Sequence, residues 1–370
     1  MAVYYSMILW VVFIGLIGEF SATLKKNELG EYEKHISKVF VFIAMAYIVF
    51  MVGMRSGVGD TPAYIKMFDD MPSNITLFSP EQYTKDRGFT ILSILFKQFI
   101  SQDYHVWLFT IAVISGLAVA KGVYKYSSNY FYSLFLFIVM VQFVWMLNGM
   151  RQFIVVSILF CNLDLIVDRK PIRFFILVAL LSTIHVTALI MIPVYFYAQI
   201  KPFTMEQLIA IVIILVVGLS IDKIAAAFSY TLEDTAYEGY LDAAATSNGS
   251  NILRSMVAMC PFVLAWFGRK NILDKKSKLI DVSINMSLAS GLLYFISSLS
   301  GGILIGRLPI YFDMYNIILL PWLIQNIFEI KEKRLVYFIV SLCSIAFFYY
   351  KVKVGMGMDY VSDILNLYVK

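Results

Sequence analysis

Long apolar runs separated by short polar stretches dominate the sequence. A helix that crosses a bilayer needs roughly 17–25 mostly apolar residues. On that rule the chain predicts single spans over the ranges 4–22, 36–53, 103–120, 130–147, 152–167, 205–221, 252–268, 279–299, 308–328 and 335–350. The stretch 172–199 is too long for one span and is interrupted by Ser182-Thr183-Ile184-His185. We predict two short spans that meet at this interruption, giving about twelve crossings, whereas one tilted helix would give about eleven.

The composition assigns this pattern to a membrane protein. Hydrophobic residues make up 60% of the 370 positions and charged residues only 15%, and the mean hydropathy is +0.77. A water-soluble domain of this size needs more polar residues for its surface, so a soluble enzyme, a secreted disulfide-linked module and a disordered chain are excluded. The runs are also too long for the alternating strands of a membrane barrel. The predicted fold class is all-α, a polytopic integral membrane helix bundle forming one transmembrane domain over 1–370.

The charges in the loops predict the orientation of the bundle. Alternate loops hold the larger share of the 30 lysines and arginines, and such loops are cytoplasmic. This places both termini outside and leaves two long outer connections, about 54–102 and 222–251. Within the first, the spacing of polar and apolar residues over 89–101 predicts an amphipathic helix that lies flat in the membrane interface.

Arginines next to span ends on the predicted outer face are the first candidates for chemistry. Ionisable groups are costly at a membrane, so each needs a reason to be there. A guanidinium binds phosphate oxygens with two parallel hydrogen bonds, which a lysine cannot do. The candidates are Arg55, Arg151, Arg254 and Arg307. The alternative, strongest for Arg254, is an arginine that reaches toward lipid headgroups.

Three residues near the same face could accept a proton. His185 interrupts an apolar stretch, Asp60 follows a glycine-rich turn, and Asp313 lies a few residues inside a predicted span. The structural alternatives are a packing role for His185, a helix cap for Asp60 and an internal ion pair with Arg307 for Asp313. Tyr64 lies one helical turn after Asp60 and on the same face.

The sequence predicts neither a metal site nor a cofactor. One histidine among the outer candidates is too few for a zinc site, and nucleotide-binding loops and paired-cysteine motifs are absent from the sequence. The net charge of +5 is small and indicates no nucleic-acid partner. A metal-free reaction on a phosphate-bearing substrate at the outer face fits these observations.

Four blocks in chain order carry a resemblance to a known family. They are Met54-Arg55-Ser56-Gly57-Val58-Gly59-Asp60-Thr61 followed by Tyr64, then Met150-Arg151-Gln152, then Ser182 to Leu189, then Gly306-Arg307-Leu308 followed by Tyr311-Phe312. Together they resemble the EpsG family of Wzy-like bacterial polysaccharide polymerases. The sequence departs from the family pattern at Thr187, where serine is commoner, and at Arg87, where an acidic residue or proline is usual.

The resemblance implies a polysaccharide polymerase of GT-C-like architecture in the bacterial inner membrane. It would join oligosaccharide repeat units carried on undecaprenyl pyrophosphate at the periplasmic face, making O-antigen (lipopolysaccharide), capsule or exopolysaccharide. Donor and acceptor lipids, membrane lipids, a chain-length regulator and a flippase would be its partners.

We assign roles to the candidates on that basis. Developing charge on a departing pyrophosphate needs preorganised cations, and an acceptor hydroxyl needs a base within hydrogen-bond reach. The assigned roles are pyrophosphate binding for Arg151, Arg307, Arg55 and Arg254; base for His185, then Asp60, then Asp313; and sugar positioning for Tyr64, Gln152 and Tyr311.

Two other functions remain open at this point. A flippase or transporter of lipid-linked oligosaccharide would favour internal repeats and charges reachable from both faces. A membrane O-acyltransferase would need an acyl-donor site at the inner face. The candidate charges gather on one predicted face, the outer one, which argues against both.

Overall fold

The structure is a computed structural model that describes residues 1–26, 32–232, 250–300 and 306–368. Apart from one short hairpin, in which Thr23–Lys26 pairs antiparallel with Tyr32–His35, and an isolated bridge from Ser362 to Leu367, these residues form helices and loops. The α-helices are Ala2–Phe20, Lys38–Gly53, Thr61–Asp70, Arg87–Phe99, Tyr104–Tyr126, Tyr130–Val139, Met150–Cys161, Asp164–Val167, Pro171–Ser182, Met191–Tyr197, Met205–Leu232, Ile252–Phe267, Arg269–Leu273, Lys278–Ser300, Ile310–Asp313, Asn316–Ile327 and Ile330–Tyr349. Tight 3₁₀-helical turns cover Ile75–Leu77, Gln142–Met146 and Val186–Ile190, and a wider π-helical turn covers Tyr350–Gly355.

The helical membrane class predicted from the apolar runs is confirmed. Within the described ranges, four helices are long and apolar enough to cross a membrane by length and composition: Ala2–Phe20, Tyr104–Tyr126, Lys278–Leu299 and Ile330–Gly355. Shorter apolar helices follow most of the other predicted runs. The count of about twelve crossings stays a prediction.

The helix Ala2–Phe20 has apolar side chains on its exposed face as well as on its buried face. Tyr4 and Val11 are fully buried, whereas Leu9 and Phe13 are 68% and 55% exposed. A helix at the surface of a soluble protein carries polar residues on its outer face, and a helix that is apolar all round is typical of a membrane. The outward side chains of this helix therefore face lipid.

The predicted interruption of 172–199 is present. The helix Pro171–Ser182 ends there, and His185 has an extended backbone with φ −154° and ψ 115°. The turn Val186–Ile190 and the helix Met191–Tyr197 follow. The polar side chains of this segment thus coincide with the end of one helix and the start of the next.

Other predicted spans contain breaks that the sequence did not reveal. The run 130–147 stops being α-helical at Val139, and Val141 has a φ of +72°. The run 308–328 is divided into Ile310–Asp313 and Asn316–Ile327. The residues in these breaks remain apolar, so hydropathy alone does not detect them.

The helix predicted over 89–101 is present as Arg87–Phe99, and its polar side chains point inward. Ser93 is buried and accepts a hydrogen bond from Trp107 Nε1 at 3.3 Å. Lys97 Nζ donates to three backbone oxygens at the end of Thr61–Asp70, at 2.8 Å, 2.9 Å and 2.8 Å. Phe99 on the opposite face is exposed. The flat orientation of this helix in the interface stays a prediction.

The predicted outer loop 222–251 begins later than expected. The helix Met205–Leu232 continues through its first residues. Residues 233–249 of that loop lie outside the described residues.

The described chain divides into two compact units. Unit 1 contains Met1–Ser79, Gly88–Asn162 and Leu335–Lys370, and unit 2 contains Pro80–Arg87 and Leu163–Arg334. Each unit is described by itself below.

Small residues allow close helix packing inside each unit. In unit 1, Lys38–Gly53 and Tyr104–Tyr126 approach so closely that a Cβ at Gly116 would lie 2.1 Å from Val49. Gly291 has the same function in unit 2, where its Cβ would lie 2.6 Å from a neighbouring methionine side chain. Glycine at such contacts is typical of helices that pack in membranes.

Candidate functional site

Arg55 lies wholly inside unit 1, just after the helix Lys38–Gly53. Its side chain is 1% exposed. Nε donates to Thr61 Oγ1 at 2.9 Å and Nη1 donates to the Val52 carbonyl at 2.6 Å, while Nη2 lies 3.4 Å from Met150 Sδ. Burial lowers the pKa of the Arg55 guanidinium to about 10, so the group stays charged at neutral pH. A cation whose donors are taken up by the protein is suited to holding this turn together.

A segment near the end of the sequence packs against the same turn. Val361 accepts a backbone hydrogen bond from Ser56 N at 2.9 Å. The Tyr360 hydroxyl donates to the Met51 carbonyl at 2.7 Å, and Ser362 Oγ donates to the Met54 carbonyl. We call residues 356–363 the C-terminal strap. The sequence analysis missed it because these contacts join positions some 300 residues apart.

Arg151 is held in the first turn of the helix Met150–Cys161. The chain enters this helix through Gly149, whose φ of +84° is a conformation that glycine adopts without strain. The Arg151 Cζ atom lies 5.7 Å from the centroid of the Tyr64 ring and 5.9 Å from that of Phe89. The side chain is only partly buried. Two aromatic rings therefore limit the directions in which this partly exposed side chain can point.

Asp60 stands beside this arginine's loop. It occupies the position before the helix Thr61–Asp70, but its side chain makes no capping hydrogen bond. With the Asn148 amide oriented so that its nitrogen faces the carboxylate, that nitrogen donates to Asp60 Oδ1 at 2.9 Å. The carboxylate is thus bound by the loop that leads into Arg151, and the capping alternative does not describe it.

Gln152, predicted to position sugars, is 3% exposed. That burial favours a contact inside the protein.

Unit 1 brings Arg55, Asp60, Tyr64 and Arg151 to one end, where the C-terminal strap also lies.

His185 in unit 2 is paired with an acidic residue that the analysis of the sequence did not select. His185 Nδ1 lies 3.1 Å from Asp86 Oδ2. The other carboxylate oxygen, Oδ1, accepts the Val186 backbone N–H at 3.3 Å. The Asp86 backbone has a φ of +50°. The neighbouring Arg87 donates to the carbonyls of its own loop, Tyr83 at 3.1 Å and Pro80 at 3.3 Å, which gives it a local structural role.

Tyr311 joins two of the motif blocks within unit 2. Its hydroxyl lies 2.9 Å from Thr187 Oγ1, and the side chain is 2% exposed. Thr187 has a hydroxyl, as does the serine that the family pattern favours at this position. That hydroxyl is the group that contacts Tyr311. Tyr311 therefore supports the turn after His185, and direct contact with a sugar stays a prediction.

Asp313 is surrounded by hydrogen-bond donors. Tyr294 OH donates to Oδ2 at 2.7 Å, and Ser290 Oγ and Asn316 Nδ2 approach Oδ1. Arg254 Cζ lies 4.4 Å from the centroid of the Tyr294 ring, so this arginine lies against the residue whose hydroxyl donates to Asp313. The alternative of an internal ion pair between Asp313 and Arg307 stays a prediction. Arg307 itself is half-buried at the start of its motif block.

The two units hold different parts of the predicted set. Arg151 and Asp60 belong to unit 1, and His185, Arg254, Arg307 and Asp313 belong to unit 2. A single site formed by both sets stays a prediction. Among the residues that the structure describes, no three His, Cys, Asp or Glu side chains come together in a way that could hold a metal ion.

Comparison with known proteins gives one result that spans most of the chain. The sequence model of the EpsG family matches residues 38–362. No curated protein and no solved structure matches the chain. The matched range contains each of the four motif blocks and every candidate residue described above. The chain therefore belongs to the EpsG family, a family of Wzy-like polysaccharide polymerases.

Proposed function

We propose that this protein polymerises oligosaccharide repeat units carried on undecaprenyl pyrophosphate, at the periplasmic face of a bacterial inner membrane. Family membership supports the polymerase class. The lipid-linked substrate, the face, the GT-C-like architecture and about twelve crossings are parts of the proposal. A flippase would supply the repeat units and a chain-length regulator would limit the product.

The position of Arg151 carries the proposal. The side chain stands in the first turn of a helix that begins with neither a side-chain cap nor an acidic residue. The amino end of a helix favours anions, and a guanidinium adds a fork that fits phosphate oxygens. Tyr64 and Phe89 limit the directions in which this fork can point. Such a preorganised cation stabilises a pyrophosphate as it leaves.

The reaction forms one bond and breaks another at the same carbon. The oxygen of an acceptor hydroxyl bonds to the anomeric carbon of the donor sugar, while the bond from that carbon to the pyrophosphate oxygen breaks. The pyrophosphate leaves with the electron pair, and the hydroxyl proton goes to His185. Imidazole is suited to this step because its neutral ring has one nitrogen with a lone pair that accepts a proton.

The other candidates take roles that follow from their contacts. Arg307, in unit 2, keeps the pyrophosphate-binding role that the resemblance implies. Arg55 and Asp313 are bound within the protein, so we assign Arg55 to holding the turn before Asp60 and Asp313 to fixing Tyr294, over whose ring Arg254 lies. Asp60 remains the second candidate base.

The direct test is an assay of the purified protein with a lipid-pyrophosphate repeat unit. Wild type should give a ladder of products that differ by one repeat. Arg151→Lys keeps the charge but loses the fork, so its rate of ladder formation should fall about 100-fold. Arg173→Lys makes the same change at an exposed arginine in the first turn of the helix Pro171–Ser182, next to a predicted cytoplasmic loop, and should leave the ladder intact.

Other outcomes of this assay are equally clear. Full-length ladders from Arg151→Lys would show that Arg151 does not bind the pyrophosphate. A wild-type protein that moves the lipid across vesicles without lengthening its sugar would be a flippase, and the proposal would fail.

A further inference from the structure

We infer that Asp86 is the positioning residue for His185: its carboxylate fixes the imidazole with the proton on Nδ1, so that Nε2 is left to accept a proton. The inference rests on the proposed function for its catalytic consequence. Its structural part, the position of the proton on the imidazole, does not depend on the proposed function.

The two oxygens of Asp86 hold two neighbouring groups of the same segment. Oδ2 lies 3.1 Å from His185 Nδ1, and Oδ1 accepts the N–H of Val186 at 3.3 Å. One contact fixes the ring and the other fixes the backbone that follows it. Asp86 therefore holds both the His185 side chain and the backbone directly after it, which leaves the ring little freedom to rotate.

Burial strengthens this pair. The Asp86 side chain is 6% exposed and that of His185 is 17% exposed. Water therefore competes little for the carboxylate, and a hydrogen bond to an ionised acceptor is roughly twice as strong as a neutral one. The remaining exposure of His185 is what a proton acceptor needs to meet a substrate.

The backbone conformation of Asp86 indicates that its carboxylate is placed specifically against His185. Its φ of +50° lies in the left-handed region, which aspartate adopts more readily than most residues. This conformation comes directly before the helix Arg87–Phe99. The chain thus adopts an uncommon geometry at the residue whose carboxylate lies against His185.

The chemistry of imidazole then determines the proton positions. A carboxylate accepts hydrogen bonds and cannot donate them, so the ring nitrogen facing it carries hydrogen. In the neutral ring the other nitrogen, Nε2, holds the lone pair. When Nε2 takes the proton of the acceptor hydroxyl, the resulting positive ring is stabilised by the Asp86 charge.

The chain contains a matched control for this pair. His105 Nδ1 lies 2.9 Å from Asp103 Oδ1, and Asp103 also accepts the His105 backbone N–H at 2.8 Å. The Asp103 side chain is 55% exposed. This pair has the same contacts, but its carboxylate is largely exposed and neither residue is a candidate for the site, so Asp103→Asn is the control for Asp86→Asn.

Nitrogen NMR on histidine-labelled protein tests the structural part. The sequence has 3 histidines, and His185→Gln identifies the signal of interest. At mildly alkaline pH we expect wild-type His185 to carry its proton on Nδ1, and Asp86→Asn to shift the ring toward the other tautomer. A wild-type ring protonated on Nε2, or a ring unchanged by Asp86→Asn, would overturn the inference.

Kinetics test the catalytic part. Asp86→Asn should lower kcat about 100-fold with little change in KM, because base strength and orientation change while binding does not. Asp103→Asn should match wild type. A wild type that forms no ladder but shows the expected tautomer would refute the proposed function alone. A ladder unaffected by Asp86→Asn would refute the positioning role alone.

Discussion

At the scale of single residues, surroundings decide which arginine can serve a substrate. The sequence placed Arg55 and Arg151 in one group, because both are arginines beside predicted span ends. In the structure Arg55 is buried with its donors bonded to protein groups, whereas Arg151 is partly exposed between two rings. Residue type alone carried no information on exposure.

The buried role of Arg55 predicts a stability defect. Arg55→Lys removes the forked contacts to Thr61 and the Val52 carbonyl, so we expect the free energy of unfolding to fall by about 2 kcal/mol. Thermal unfolding in detergent measures this, with Arg173→Lys as the reference. Unchanged stability together with a lost ladder would instead make Arg55 a substrate-binding residue.

At the scale of elements, backbone breaks matter more than helix lengths. The left-handed residues Val141 and Gly149 end one helical segment and begin another. Together they place Asn148 opposite Asp60 and Arg151 between its two rings. The polar interruption before His185 was predictable because its residues are local and polar. The break at Val141 was not, since its residues are as apolar as the helices on either side.

The C-terminal strap predicts a graded loss of stability. Tyr360→Phe removes one hydrogen bond to the Met51 carbonyl and should cost about 1 kcal/mol. Removing the chain after residue 355 deletes every strap contact to the turn 54–57 and should lower both the unfolding temperature and ladder formation. Thermal unfolding and the ladder assay measure the two effects. A truncated protein as stable and active as wild type would show that the strap does not support the site.

At the scale of the whole molecule, the class of protein was predictable and the pairing of its site residues was not. Long apolar runs are a local signal, and they identified a helical membrane protein correctly. Asp86 and His185 are 99 residues apart in the chain, and Asp313 is bonded from a different helix. Such contacts arise from packing between distant segments and leave no pattern in the sequence.

The predicted orientation can be tested with single cysteines in a background that lacks Cys161, Cys260 and Cys343. A cysteine at exposed Ser73, in the first long outer connection, should react with a membrane-impermeant maleimide in intact spheroplasts. A cysteine at exposed Lys275 should react only after permeabilisation, because its loop is predicted to be cytoplasmic. The reverse pattern would invert the topology and move the proposed site to the cytoplasm.

The strap also has a consequence for biosynthesis. The turn that carries Arg55 emerges from the ribosome early. Tyr360, which donates to the Met51 carbonyl beside this turn, is synthesised 309 residues later than Met51. Until the final apolar helix has inserted and the strap has folded back, the Arg55 turn lacks the hydrogen bonds that close it. A chain translated only as far as residue 355 therefore holds this turn without the hydrogen bonds that the strap supplies.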